Sequence, residues 1–337
     1  VARDSRSAYE AELRKLEPLV RKAFLEAIDD IKSGAKLTSV QEAVARADWQ
    51  AALELLRMDE SIFSRLDRQI ENAFYQGGVY QLAHLGGRGA ALRVRFQGRH
   101  ERAERWVRER SGRLIRGIIE DQRIAVQDMI WRGLRDGRNP RQTSLDLIGR
   151  VQGNRRVGGI VGLTSPHARA VLALRAELSD PATADGYFSR KVRDKRFDGA
   201  VRKATSEGRA VSKREIDRIA TRYADRLLKW RGDMIARTET IAALNAGRHE
   251  GLEQLIDRGE VSRDAVSVAW SATMDGRTRD LHRNLNGQQI GFGEAFQSQT
   301  GARLRYPGDS ELGATGEDVI GCRCYLQPRI DWLAGAT

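Results

Sequence analysis

The chain has 337 residues, 40% of them hydrophobic and 31% charged, which is enough to bury a sizeable core in two or three domains. It holds no run of about 18 apolar residues, which excludes a membrane-spanning helix, and its opening VARDSRSAYEAELRKLEP has no apolar h-region, so no signal peptide is expected. Against 46 Asp and Glu stand 58 Lys and Arg, a net charge of +12, and two cysteines are too few for a disulfide framework.

In chain order, Leu13, Leu16, Val20, Phe24, Ile28 and Ile31 recur at helical spacing and predict a helix over 8–33. Ser39 is placed to cap a second helix through VQEAVARADWQAALELLRM. A third carries Ile62, Leu66, Ile70 and Phe74, and the glycines of YQGGVYQLAHLGGRGAAL are expected to loosen it. From RHERAERW to the stop at DGRNP, the periodicity predicts one long helix, or two joined near Gly112 to Gly117. VQGNRRVGGIVG reads as a glycine-rich linker without phosphate-loop spacing. Ser165 and Pro166 then open a helix, and Ser212 with Glu215 forms a capping-box pair before a long one that Gly232 and Gly247 are expected to break or kink.

Past residue 260 the pattern changes. AVSVAWSA alternates as a strand, RDLHRNLNG is a short helix ending at Gly287, and VIGCRCYL reads as a closing strand. The expected fold is therefore mainly α, a helical N-terminal and central body with a small C-terminal α+β module. Its segments are 1–87 (helical), 88–157 (the Arg-rich long helix), 158–232 (helical and basic) and 233–337 (the module).

Charge is clustered. Residues 88–156 carry 18 Arg against 8 Asp and Glu, and residues 186–231 carry 15 Lys and Arg against 6, while the remainder is acidic. Two basic blocks suggest a polyanion partner. Because aromatic residues are just 6%, duplex phosphate contact fits better than base stacking on single strands. The candidate contacts are Arg102, Arg105, Arg113, Arg116, Arg123 and Arg132 on the long helix, Arg155 and Arg156 after it, and Arg193, Lys195 and Arg196 in the second block.

Cys322 and Cys324 stand one residue apart, too close for an unstrained bridge. With His282 and Asp275 they form a chemically sensible ligand set for a borderline-soft ion such as zinc, although the spacing is not that of a zinc finger. The blander alternative makes both cysteines small hydrophobes of a closing strand.

MIARTETIAALNAGRHEGLEQ, VAWSATMDGRTRDLHRNLNGQQI, AFQSQTGARLRYPGD and GCRCYL follow one another through the C-terminal third. The succession resembles the phage head-morphogenesis family, the minor head proteins typified by protein F of phage Mu. It is carried by Arg237, Thr238 and Glu239, then Trp270, the Asp275 to His282 run, Gly287, Pro307 to Asp309, and Cys322 with Cys324. Gly321 stands where the family pattern has Asn. The resemblance implies a non-catalytic virion protein acting in head morphogenesis, in the capsid interior or at the portal vertex, assembled in the host cytoplasm. Portal protein, other head proteins and packaged duplex DNA would be its partners, and no cofactor is implied beyond the zinc that the Cys/His set would take. The alternative is a metal-dependent nucleic-acid-processing enzyme using Asp275, His282, Cys322 and Cys324.

Overall fold

A computed structural model describes residues 6–85, 92 and 94–334. They are mainly helical, with short strands gathered toward the C-terminal end, as expected. The first helix, α1, spans Arg6–Gly34. The second expected helix is two, α2 (Leu37–Ala45) and α3 (Trp49–Leu56). They part where Ala47 takes φ +55 and Asp48 caps α3, accepting from Ala51 N at 2.9 Å. Ser39 lies inside α2, whose N-cap is Lys36. α4 (Ser64–Ala83) runs through Gly77 and Gly78 instead of loosening there. The next glycines, in GGRGAA, lie outside the described residues. α5 (Glu101–Arg135) is one helix, unbroken at Gly112 and Gly117, and α6 (Pro140–Ile148) follows from an Asn139 cap.

The glycine-rich stretch is not a linker. β1 (Arg150–Gln152) and β2 (Arg155–Val157) pair as an antiparallel hairpin, and Ile160, Val161 and Leu163 after them are fully buried. Gly162 sits at φ +90, and a Cβ there would lie 2.7 Å from Ile28 and Leu228, so the chain needs glycine to pass through the core. α7 (Ser165–Ser179) is capped by Thr164 and not by Ser165. After α8 (Asp198–Ser206), α9 (Lys213–Asp257) starts with the expected Ser212–Glu215 pair, Glu215 N donating to Ser212 Oγ at 3.3 Å, and continues past Gly232 and Gly247 for 45 residues.

β3 (Val266–Ser271) is the middle strand of an antiparallel sheet, between β4 (Gln289–Gly291) and β7 (Tyr325–Ile330), with Trp270 opposite Leu326. The short helices α10 (Asp280–Leu285) and α11 (Gly316–Val319) and the pair β5 (Phe296–Gln297) and β6 (Arg303–Leu304) fill the connections.

Two compact units are built from separated stretches of chain: 1–23, 65–112 and 233–337 in one, and 24–64 and 113–232 in the other. In the first, α4 and α9 touch backbone to backbone. A Cβ on Gly77 would lie 2.3 Å from the Leu244 carbonyl oxygen, and one on Gly247 would lie 1.9 Å from that of Phe74. The glycines read as helix breakers are what let these two helices meet. In the second, buried Asp146 accepts from Arg175 at 2.9 Å and Arg150 at 3.4 Å, and Arg138 and Gln142 also bond it.

Candidate metal centre

The C-terminal half of α9 is the floor of the module. From Ala236 to Leu255 it is almost wholly buried, polar residues included. Several polar side chains there tie the module together, while buried Thr240 Oγ1 has no partner among the described residues. Glu239 holds the Arg110 guanidinium at 2.7 Å in a buried ion pair, and Arg110 also reaches Ser310 Oγ at 2.7 Å. Arg237 pairs with Glu17 at 3.0 Å. Thr238 Oγ1 accepts the Gly321 N–H at 2.9 Å. Asn245 donates to Tyr9 Oη and the Pro307 carbonyl, both at 3.1 Å, and accepts Leu326 N–H at 3.0 Å, so one amide ties α9 to the Pro-Gly-Asp turn and to β7. At Gly308, φ +91 and a would-be Cβ 2.7 Å from Ala242 Cα explain the glycine of that turn.

Thr238 fixes the segment that carries the cysteines. Gly321 takes φ +63, a conformation that glycine and asparagine adopt most readily, which gives a physical reason for Gly to stand where the resembling family has Asn. Cys322 and Cys324 are not on the closing strand: they lie in the turn between α11 and β7, where the chain is still too bent to pair with β3. Both are free thiols, each 1% exposed.

His282 comes from α10 and is 3% exposed. Its Nε2 lies 2.9 Å from the Asp318 carbonyl oxygen; a carbonyl can only accept, so Nε2 carries the proton and Nδ1 keeps its lone pair. Nδ1 faces Cys324 Sγ at 3.5 Å, and one donor atom from each of His282, Cys322 and Cys324 lies within 4.8 Å of the others. The Asp318 carbonyl is itself held rigid. The Asp318 carboxylate accepts from Thr315 N at 2.8 Å, Thr315 Oγ1 at 2.9 Å, Ser298 Oγ at 2.5 Å and Thr300 Oγ1 at 2.9 Å. Although burial opposes it, those bonds keep this carboxyl below its ordinary pKa.

The two thiols differ. The Cys322 thiol bonding to the Cys324 sulfur favours the Cys324 thiolate against burial, while the same contact and burial push Cys322 up. Trp270, 1% exposed and edge-on to His282 and Phe296, has a buried indole N–H with no acceptor at bonding distance among the described residues.

Asp275 is not brought into this cluster. It accepts two bonds from Arg323, each at 2.6 Å, which hold its carboxyl far below the ordinary range. Gly287 takes φ +82 in the turn after α10, and its N–H donates to Trp270 O at 2.8 Å. Of the candidate phosphate contacts, Arg102 pairs with Glu250 and Asp257, Arg105 with Glu101, Arg123 with Glu120, Arg132 with Asp128, Arg193 with Asp198 and Arg196 with Asp194. Arg156 donates to the Gly149 and Ala35 carbonyls, and Arg113 is also engaged. Arg116, Arg155 and Lys195 are exposed, with no acidic partner among the described residues. Sequence reasoning missed Asp318, Ser298, Thr300 and Asn245. The Thr315–Asp318 spacing was the one available signal, a capping box before a four-residue helix too short to show periodicity.

Residues 196–327 match the family described as Phage Mu protein F like protein, a stretch that opens inside the segment expected to be helical and basic and closes within β7. In this stretch the chain is similar to the phage head-morphogenesis family. Over 98 residues the chain is 35% identical to a protein of Bacillus phage SPP1 named Minor head protein GP7, an alignment covering 29% of each chain. The chain thus spans under a third of that relative's length. No solved structure matches.

Proposed function

We propose that the protein is a minor head component that acts in head morphogenesis at the portal vertex, touches packaged duplex DNA through its arginine-rich helices, and carries out no chemistry of its own. The observation that carries this reading is how the matched stretch employs its motif residues. Glu239, Thr238 and Asn245 are engaged in interior contacts that hold the module together, and Asp275 is taken by Arg323 in a partly exposed ion pair. DNA contact then falls to a smaller set than the charge count suggests, led by Arg116, Arg155 and Lys195. Paired arginines join by exchanging an acidic partner for a phosphate.

A second reading, a metal-dependent nucleic-acid-processing enzyme, is favoured by one feature. The three donors border a cavity of about 170 Å³ that also has Arg277, Arg279 and Arg323 on its wall. Loss of Asp275 to Arg323 removes the carboxylate such an enzyme would need as a base. A titration against linear duplex from low to high salt, with Mg²⁺ or Zn²⁺ present, separates the readings. Intact DNA that is retarded and then released by salt supports the head component; shortened DNA, restored by chelator, supports the enzyme. No shift at any salt assigns the arginines to a protein partner. Co-purification with the portal protein tests the assembly half.

A further inference from the structure

We propose that His282 Nδ1, Cys322 Sγ and Cys324 Sγ hold a zinc ion whose fourth coordination position opens onto the arginine-lined cavity. The argument stands on the side chains themselves and not on the head-protein reading. Ordinary Zn–S and Zn–N bonds arranged tetrahedrally put sulfur and nitrogen about 3.6 Å apart. The Cys324 Sγ to His282 Nδ1 distance is 3.5 Å, and the second sulfur lies within 4.8 Å of both, so small side-chain rotations complete the set.

The surroundings are those of ligands. His282 is oriented by donating its other ring nitrogen to a backbone carbonyl, the arrangement that fixes a metal-binding imidazole, and that carbonyl belongs to the residue with the most heavily bonded carboxylate of the module. The Cys324 N–H donates to Cys322 Sγ at 3.4 Å, stabilising negative charge on that sulfur. The Trp270 ring stands edge-on to His282 and its buried N–H is left without a partner among the described residues. Two sulfurs and one imidazole select a borderline-soft ion over Mg²⁺ or Ca²⁺, which demand oxygen. Binding releases the two thiol protons to solvent and leaves the His282 Nε2 proton in place; nothing is oxidised or reduced. Water or an anionic group takes the fourth position, since the cavity wall offers arginines there. The consequence is a cross-link between α10 and the irregular turn before β7.

The test uses the full chain, purified with zinc present, dialysed, and analysed for metal. One zinc per chain is expected, with both thiols protected from an aromatic disulfide reagent until chelator is added. Exchange with Co²⁺ should give thiolate-to-cobalt charge-transfer absorption and the intense visible bands of a tetrahedral site. Cys322→Ser and Cys324→Ser should each abolish zinc retention. Should those variants fail to fold, the wild-type cobalt spectrum decides by itself. Folded wild type that retains no zinc and shows no charge-transfer band overturns the proposal, as does a folded double variant that keeps its zinc.

Discussion

Two helical stretches put their charges to opposite uses. In α9 from residue 233 to 257, Glu239, Asn245, Arg248 and Glu250 are all buried, and each is positioned by partners distant in sequence. In α5 from Glu101 to Arg135, many charges lie on the surface, and three arginines there pair with acids three or four residues away, Arg105 with Glu101, Arg123 with Glu120 and Arg132 with Asp128. Local pairs of that kind stabilise a helix by a few tenths of a kcal/mol, whereas stranding one buried charge costs several kcal/mol. Charge density therefore says little about role until burial is known. In α9 it specifies the fold, and in α5 it leaves a surface open to a partner.

The contrast can be broken most forcefully at Glu239. Glu239→Ala leaves Arg110 buried without its counter-charge and should cost about 3–5 kcal/mol, seen as a lower denaturant midpoint. A midpoint equal to wild type would mean that the α9 charges are as dispensable as those of α5. Next in size is an acid effect at His249, whose ring packs on Phe292 and Tyr306 and whose pKa burial holds down at about 4. The unfolded chain takes up this proton near pH 6.5 and the folded chain resists until about 4, so the contribution is intact above 6.5 and lost as pH falls through that window. Allowing for partial exposure, the loss is on the order of 2 kcal/mol, and His249→Gln should flatten that limb of the stability–pH curve.

On α5 and its neighbours the same comparison predicts loss of binding with no loss of fold. Arg116→Ala, Arg155→Ala and Lys195→Ala together should leave the unfolding midpoint in place and lower the slope of log affinity for duplex against log salt by about 3. An unchanged slope would take these three positions off the DNA. Smallest of all, Arg105→Ala should cost about 0.3 kcal/mol in thermal or denaturant unfolding, the value of one exposed i,i+4 pair.

What the amino-acid sequence showed well was whatever depends on neighbours within a few residues. The apolar stripes of α1, α5 and α9, the Ser212–Glu215 start and the alternation of β3 all rest on local periodicity or capping. It misled where a distant partner sets the meaning of a residue. Gly77 and Gly247 look like breakers until Leu244 and Phe74 are found against them, and the glycines after β2 look like a linker until Ile28 and Leu228 enclose them. Of the four candidate ligands, three converge because Asp318, invisible as a partner in sequence, orients His282. The fourth is diverted because Arg323, lying between the two cysteines, outcompetes any ion for Asp275.

Arg6 donates to the Arg323 carbonyl at 3.5 Å, 317 residues away, and Tyr9 stacks on Tyr325 with ring centroids 5.2 Å apart. A ribosome adding about 5–20 residues per second needs roughly 15–60 s to make the second partner after the first. For that whole interval Tyr9 lacks the ring it stacks on in the finished module. The opening helix is therefore made well before the turn that packs against it.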